Sequence, residues 1–203
     1  MKYLVSLVLL VGLLSGCSND PTGDAPAEAA AAAAYGAPGP KSVTVFTMVN
    51  NRTGRGGHSA LLINGSQQVI FDPAGSFRDP RLVERQDVLY GVTPGWVQAY
   101  KSAHARASHH VVSQTIELTP EQAEKALSLA RSYGSVPGAF CTQATTAILS
   151  QLTGFQDIER TYYPENLMEQ LAQRRDVQTA KLYENDDGQV IDAVRAALLA
   201  QQP

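Results

Sequence analysis

Apolar and polar residues alternate through SVTVFTMV at 42–49, and most of the apolar ones are β-branched. A period of two in such residues predicts a strand. The loop NNRTGRGG follows, then two apolar runs, HSALLI at 58–63 and QQVIFD at 67–72, flanking NGS. Asn-Gly between apolar runs is the strongest short-range signal for a hairpin. PAGSFRDPRLVERQD, with two prolines, reads as irregular. Beyond it, DVLYGVTPGWVQAYKSAHARA mixes a turn at TPG with a short helix over 96–105. HHVVSQTIEL at 109–118 alternates again, and a second long strand is expected there.

The period then changes to that of helices. TPEQAEKALSLARSYG has Thr119 at the cap, proline in the first turn, Gln122 at the capping-box position and Gly134 as its stop. Ala123, Ala126, Leu127 and Ala130 form its buried stripe. CTQATTAILSQLTG reads as a second helix from Cys141, ending at Gly154. YYPENLMEQLAQR is a third, VQTAKLYEN a late strand, and DGQVIDAVRAALLAQQ a terminal helix. Strands followed by helices predict an α+β fold, a small antiparallel sheet packed against helices.

The N-terminus does not belong to that domain. Lys2, an apolar run from Tyr3 to Leu14, and LLSGC ending at Cys17 make a secretory signal over 1–16. LLSGC resembles the bacterial lipobox, which implies lipidation of Cys17 and a membrane anchor without a spanning helix. Serine rather than aspartate follows Cys17, which by the same resemblance favours the outer membrane of a Gram-negative envelope. Residues 17–40 are alanine, proline and glycine with little to bury, and read as a tether. The folded domain is expected over 41–203, long enough for a full core.

The formal net charge is −3, without a block of Lys or Arg, so nucleic-acid binding has no electrostatic support. No cofactor motif stands out. A metal site from His58, the other histidines and Cys141 lacks any CxxC or HExxH spacing. If Cys17 carries lipid, Cys141 has no intramolecular disulfide partner. It is then a buried small hydrophobe, or a reactive or an intermolecular thiol. Its place at a helix start favours a thiolate and offers N–H groups to an oxyanion.

A nucleophilic thiol needs a base. His109 and His110 are adjacent on a strand and point to opposite faces, and nothing in the sequence orients His104. His58 follows two glycines and opens a hairpin strand whose partner ends in Asp72. A hairpin sets those two ends side by side, so the acid can hold the imidazole's tautomer. Register decides the matter. A three-residue turn puts His58 and Asp72 on one face; a two-residue Asn-Gly turn puts Phe71 opposite His58. Gln68 is the same-face alternative.

GGHSALLI, VIFDPAG and AFCTQATTAIL, in that order, resemble the circularly permuted, lecithin:retinol acyltransferase-like branch of the NlpC-like, papain-like cysteine hydrolases. There the histidine strand precedes the cysteine helix. The likeness spans about residues 43 to 155 and implies Cys141 as nucleophile, His58 as base and Asp72 as orienting group. It departs at Phe140, where asparagine is common, and at Asp72, where histidine or glutamate is common. It implies a thiol hydrolase or acyltransferase acting on peptidoglycan peptides or lipid acyl groups. The alternative is a binding module that keeps the shape without the chemistry.

Overall fold

The computed structural model describes residues 23–75 and 77–185. The signal expected over 1–16, Cys17 and the terminal helix expected at 187–202 lie outside the described residues. Within them the chain is α+β, and one seven-stranded antiparallel sheet forms its centre. The strands are β1 (Ser42–Asn50), β2 (Gly56–Asn64), β3 (Gln68–Phe71), β4 (Val83–Arg85), β5 (Val88–Tyr90), β6 (His109–Glu117) and β7 (Val177–Leu182), in the spatial order β4-β5-β3-β2-β1-β6-β7. The helices are α1 (Ala27–Ala32), α2 (Pro94–His104), α3 (Pro120–Tyr133), α4 (Cys141–Leu149) and α5 (Pro164–Ala172).

Both faces of the sheet are covered, which is why β1 is buried along nearly its whole length. Val43, Val45, Leu61, Ile63 and Phe71 meet α3, α4 and α5 on one face. Phe46, Met48, Ala60 and Ile70 meet Trp96, Ala99 and Tyr100 of α2 on the other. The strand period of two divides alternate residues between these two layers. α3 starts where expected: Thr119 Oγ1 accepts from the Gln122 N–H and the Gln122 side chain accepts from the Thr119 N–H. Such a cap contributes about 0.5–2 kcal/mol.

Two segments differ from expectation. The stretch read as irregular, 73–87, contains β4 and the turn of a hairpin that β5 completes just beyond it. Its turn residues, Gln86 and Asp87, both take positive φ (53° and 60°), the geometry that a two-residue hairpin turn needs. Gln-Asp supplies it without the glycine that usually signals it, because the turn is bonded from outside: Asp24 Oδ1 accepts from the Gln86 N–H at 2.8 Å. The alanine-rich stretch read as a tether is docked from Asp24 onward. Ala30 is buried in the core. The Ala25 N–H donates to the Glu84 carbonyl at 2.8 Å, and the Gln68 N–H donates to the Tyr35 carbonyl at 2.6 Å. Small side chains bury little apolar area, but they let the backbone come close enough to bond.

Candidate active site

The β2–β3 hairpin takes the register in which His58 and Asp72 share a face. Asn64 pairs with Gln68 and Leu61 with Phe71, so Gly65, Ser66 and Gln67 form a three-residue turn. Three contacts hold that turn. Lys41 Nζ donates to the Gly65 carbonyl at 2.7 Å, the Ser66 N–H donates to the Glu124 carboxylate, and Ser66 Oγ donates to Glu124 at 2.9 Å.

At the other end of the hairpin, His58 Nε2 lies 2.7 Å from Asp72 Oδ1. An ionised carboxylate only accepts, so Nε2 carries the proton and Nδ1 is left for another partner. Tyr100, fully buried on α2, donates its hydroxyl to the same Asp72 oxygen at 2.6 Å. A Cβ at residue 75 would overlap the Asp72 carboxylate, so glycine is required there. Burial raises the Asp72 pKa, but the bond and charge of His58 and the Tyr100 bond outweigh it, and the carboxyl is held below its ordinary value.

The glycines before His58 have separate uses. β1 and β2 shift register between Met48 and Val49, which pair with His58 and Gly56, so Gly57 is the extra residue of a bulge. A bulge turns the side chains beside it. Gly56 admits α5: a Cβ there would lie 2.6 Å from the Pro164 Cβ, and its N–H donates to Glu165 Oε2 at 3.1 Å. The close approach that Gly56 allows is that of the chain's own helix.

Cys141 begins α4 and is 7% exposed. No side chain caps this helix, because Phe140 occupies the cap position. The first-turn N–H groups are thus not taken by a capping residue. Cys141 Sγ lies 3.7 Å from Thr142 Oγ1, and the residue after His58, Ser59, meets Thr142 itself, which brings the first turn of α4 beside the imidazole. Burial raises the thiol pKa, but His58, through hydrogen bond and charge, outweighs it with help from Ser59 and Thr142, and the thiol is brought down to about 7. Burial likewise lowers the imidazole, but the bonds and charges of Asp72 and Cys141 prevail and push His58 up to about 10. Behind the thiol, Ser59 Oγ meets Thr142 Oγ1 at 3.1 Å, and Thr145 Oγ1 donates to the Cys141 carbonyl at 2.9 Å. The Ser59–Thr142 contact ties the first turn of α4 to β2.

No family model, curated protein or solved structure matches this chain.

The remaining histidines separate by position. His104, expected to have nothing to orient it, is held firmly. Its Nδ1 donates to the Tyr100 carbonyl at 2.7 Å, and its ring stacks on that of His58 with centroids 6.2 Å apart. Burial lowers its pKa, which keeps it neutral beside the His58 imidazolium. His109 lines a cleft of about 390 Å³ with His58, His104 and Gly75. Its neighbour His110 instead bonds Asn51 Oδ1 at 2.7 Å and stacks on Tyr183. Gln68, the alternative to Asp72, lies at the far end of β3 and donates to the Val92 carbonyl at 2.6 Å. Tyr100 and His104 are site residues that sequence reasoning missed. The one available signal was their spacing of four on a predicted helix, which puts them on one face.

Proposed function

We propose that this protein is a lipid-anchored thiol hydrolase or acyltransferase of the cell envelope, with the permuted papain-like arrangement. The observation that carries this reading is geometric: Asp72 holds His58 at Nε2 at 2.7 Å, and Ser59, next to His58, bonds Thr142, next to Cys141, at 3.1 Å; the opposite pKa shifts of thiol and imidazole agree with it. A thiolate facing an imidazolium is an activated nucleophile with its proton donor in place. The sequence likeness to the permuted cysteine hydrolases supports the same assignment.

The chemistry follows from those groups. The Cys141 thiolate attacks the carbonyl carbon of an amide or ester, and the carbonyl electrons move to oxygen. N–H groups of the first turn of α4 are positioned to receive that oxyanion. Collapse breaks the bond to the leaving amine or alcohol, which takes the proton from His58, and a thioester remains. Water or an acyl-accepting alcohol or amine then gives a proton to His58 and attacks the thioester, and the C–S bond breaks to restore the thiolate. Asp72 keeps Nε2 protonated throughout and balances the imidazolium.

The test is labelling of purified protein with an iodoacetamide probe at pH 7, beside His58→Ala. A thiol near 7 is half ionised at that pH and an ordinary one about a hundredth, so labelling should fall about ten- to fiftyfold in the variant. Turnover of p-nitrophenyl acetate should be lost in Cys141→Ser. Equal labelling of the two proteins would leave an ordinary thiol and sink the proposal.

A further inference from the structure

Four exposed large hydrophobic residues stand out among the described ones: Phe140, Tyr162, Tyr163 and Tyr183, at 43%, 52%, 53% and 57% exposure. All four lie at the same end of the molecule. β2 begins there at Gly56, and β3 ends there before Asp72. Phe140 precedes Cys141 and packs edge-on against Tyr162 at 5.5 Å. Tyr163 leads into α5, whose first residues, Pro164 and Glu165, abut Gly56. Tyr183 follows β7, whose Leu182 pairs with Val111, and it stacks on His110 at 4.3 Å.

The docked N-terminal strap arrives at this end too. Asp24 bonds the β4–β5 turn at Gln86. The next turn residue, Asp87, accepts the Asp72 N–H through its carbonyl and the Val136 N–H, ahead of Cys141, through its carboxylate. From Asp24 the strap crosses the sheet edge to Tyr35, at the opposite end of β3. Seven peptide links separate Asp24 from Cys17. Fully extended they reach at most about 25 Å, whereas a free chain from Cys17 to Lys41 would reach about 80 Å.

We infer that the catalytic end of this domain is a membrane-docking face, which the aromatic residues seat on the surface of a phospholipid bilayer. The inference rests on the reading of Cys17 as the acylated residue. A tether this short fixes which end of the domain meets the membrane. Tyrosine, with an apolar ring and a wet hydroxyl, belongs at the boundary of headgroups and acyl chains. The bonds that reach Cys141 are then those presented at the bilayer surface.

The test uses the full chain without its signal, carrying Cys17→Ser so that no acyl group contributes, and vesicles of phosphatidylethanolamine and phosphatidylglycerol. The protein should co-sediment with them, and binding should fall at least tenfold when Phe140, Tyr162, Tyr163 and Tyr183 are all changed to serine, with circular dichroism unchanged. With brominated lipids, Tyr162→Trp should be quenched and Gln178→Trp, exposed at the opposite end of the sheet, should not. Absence of vesicle binding, equal quenching at both positions, or binding to cell-wall sacculi alone would overturn the inference. Binding that appears only after removal of residues 186–203 would assign the face to the chain's own terminus and overturn it as well. Mass spectrometry of Cys17 in the membrane-extracted protein tests the anchor separately. An unmodified Cys17 with intact vesicle binding removes the tether argument and leaves the face standing, and Cys141 labelling reports on the chemistry independently of both.

Discussion

His58 is the residue on which the site turns, because one ring nitrogen is bonded to a carboxylate and the other is left for a thiol. The pH dependence follows. The thiolate forms as pH rises through about 7, and the imidazolium is lost as pH rises through about 10, so the ion pair exists between them. The rate of alkylation of Cys141 should rise with a midpoint near 7. In His58→Ala the midpoint should move up towards the ordinary thiol value of 9.0. A midpoint unchanged by the substitution would separate the two residues. Tyr100 supports the carboxylate from behind. Tyr100→Phe removes a donor from a buried anion, so the fold should lose about 1–3 kcal/mol, measured by urea unfolding. At this scale the sequence was legible where chemistry is local. A histidine after two glycines and a lone thiol before a helical run mark themselves. Tyr100 and His104 do not, because Asp72, which Tyr100 bonds, lies just past the end of β3, 28 residues from Tyr100, and α2 meets it only once it has packed across the sheet.

At the scale of elements, the hairpin turn sets the register and the loops set the rest. The Gly65–Gln67 turn contains the Asn-Gly signal displaced by one residue: Asn64 is the last strand residue, not part of the loop. Local preference for a two-residue turn yields to Lys41 and Glu124, which bond the wider one, and neither is near it in sequence. That is why the register stayed open in the sequence. The β4–β5 hairpin escaped notice for the same reason. Its strands are three residues each, and Asp24, far upstream, bonds its turn. Asp87 in that turn joins two loops beside the candidate site, since its carboxylate accepts from the Ala74 N–H at 2.9 Å and from the Val136 N–H at 3.0 Å. Asp87→Gly keeps the positive φ and removes only the acceptor. Amide exchange at Ala74 and Val136 should speed up by tenfold or more, while Val45 in the central strand keeps its protection. Loss of protection at all three would mean global destabilisation rather than a local tie.

For the whole molecule, the strap matters most, because it changes how the domain relates to whatever holds its N-terminus. Composition alone made residues 17–40 a tether, and by side-chain area that is fair. What composition does not register is the backbone. Ala25 adds an N–H to β4, Tyr35 offers a carbonyl to β3, and Ala33 lies against Gly91, where a Cβ would meet its carbonyl at 3.0 Å. Alanine and glycine allow such approach because they hold nothing between the two chains. One buried methyl, that of Ala30, faces the core at the centre of this contact. A carboxylate there has no partner and would have to reach water, so Ala30→Glu should free the strap while the two layers on either side of the sheet stay packed. Brief proteinase K digestion distinguishes the two states. The parent chain should be trimmed to near Gly23 and then resist, whereas Ala30→Glu should be cut between residues 25 and 40 and stop near Lys41. Cleavage within 25–40 at equal rates in both proteins would show that the strap is not held, and the domain would then range over the full length of a free chain.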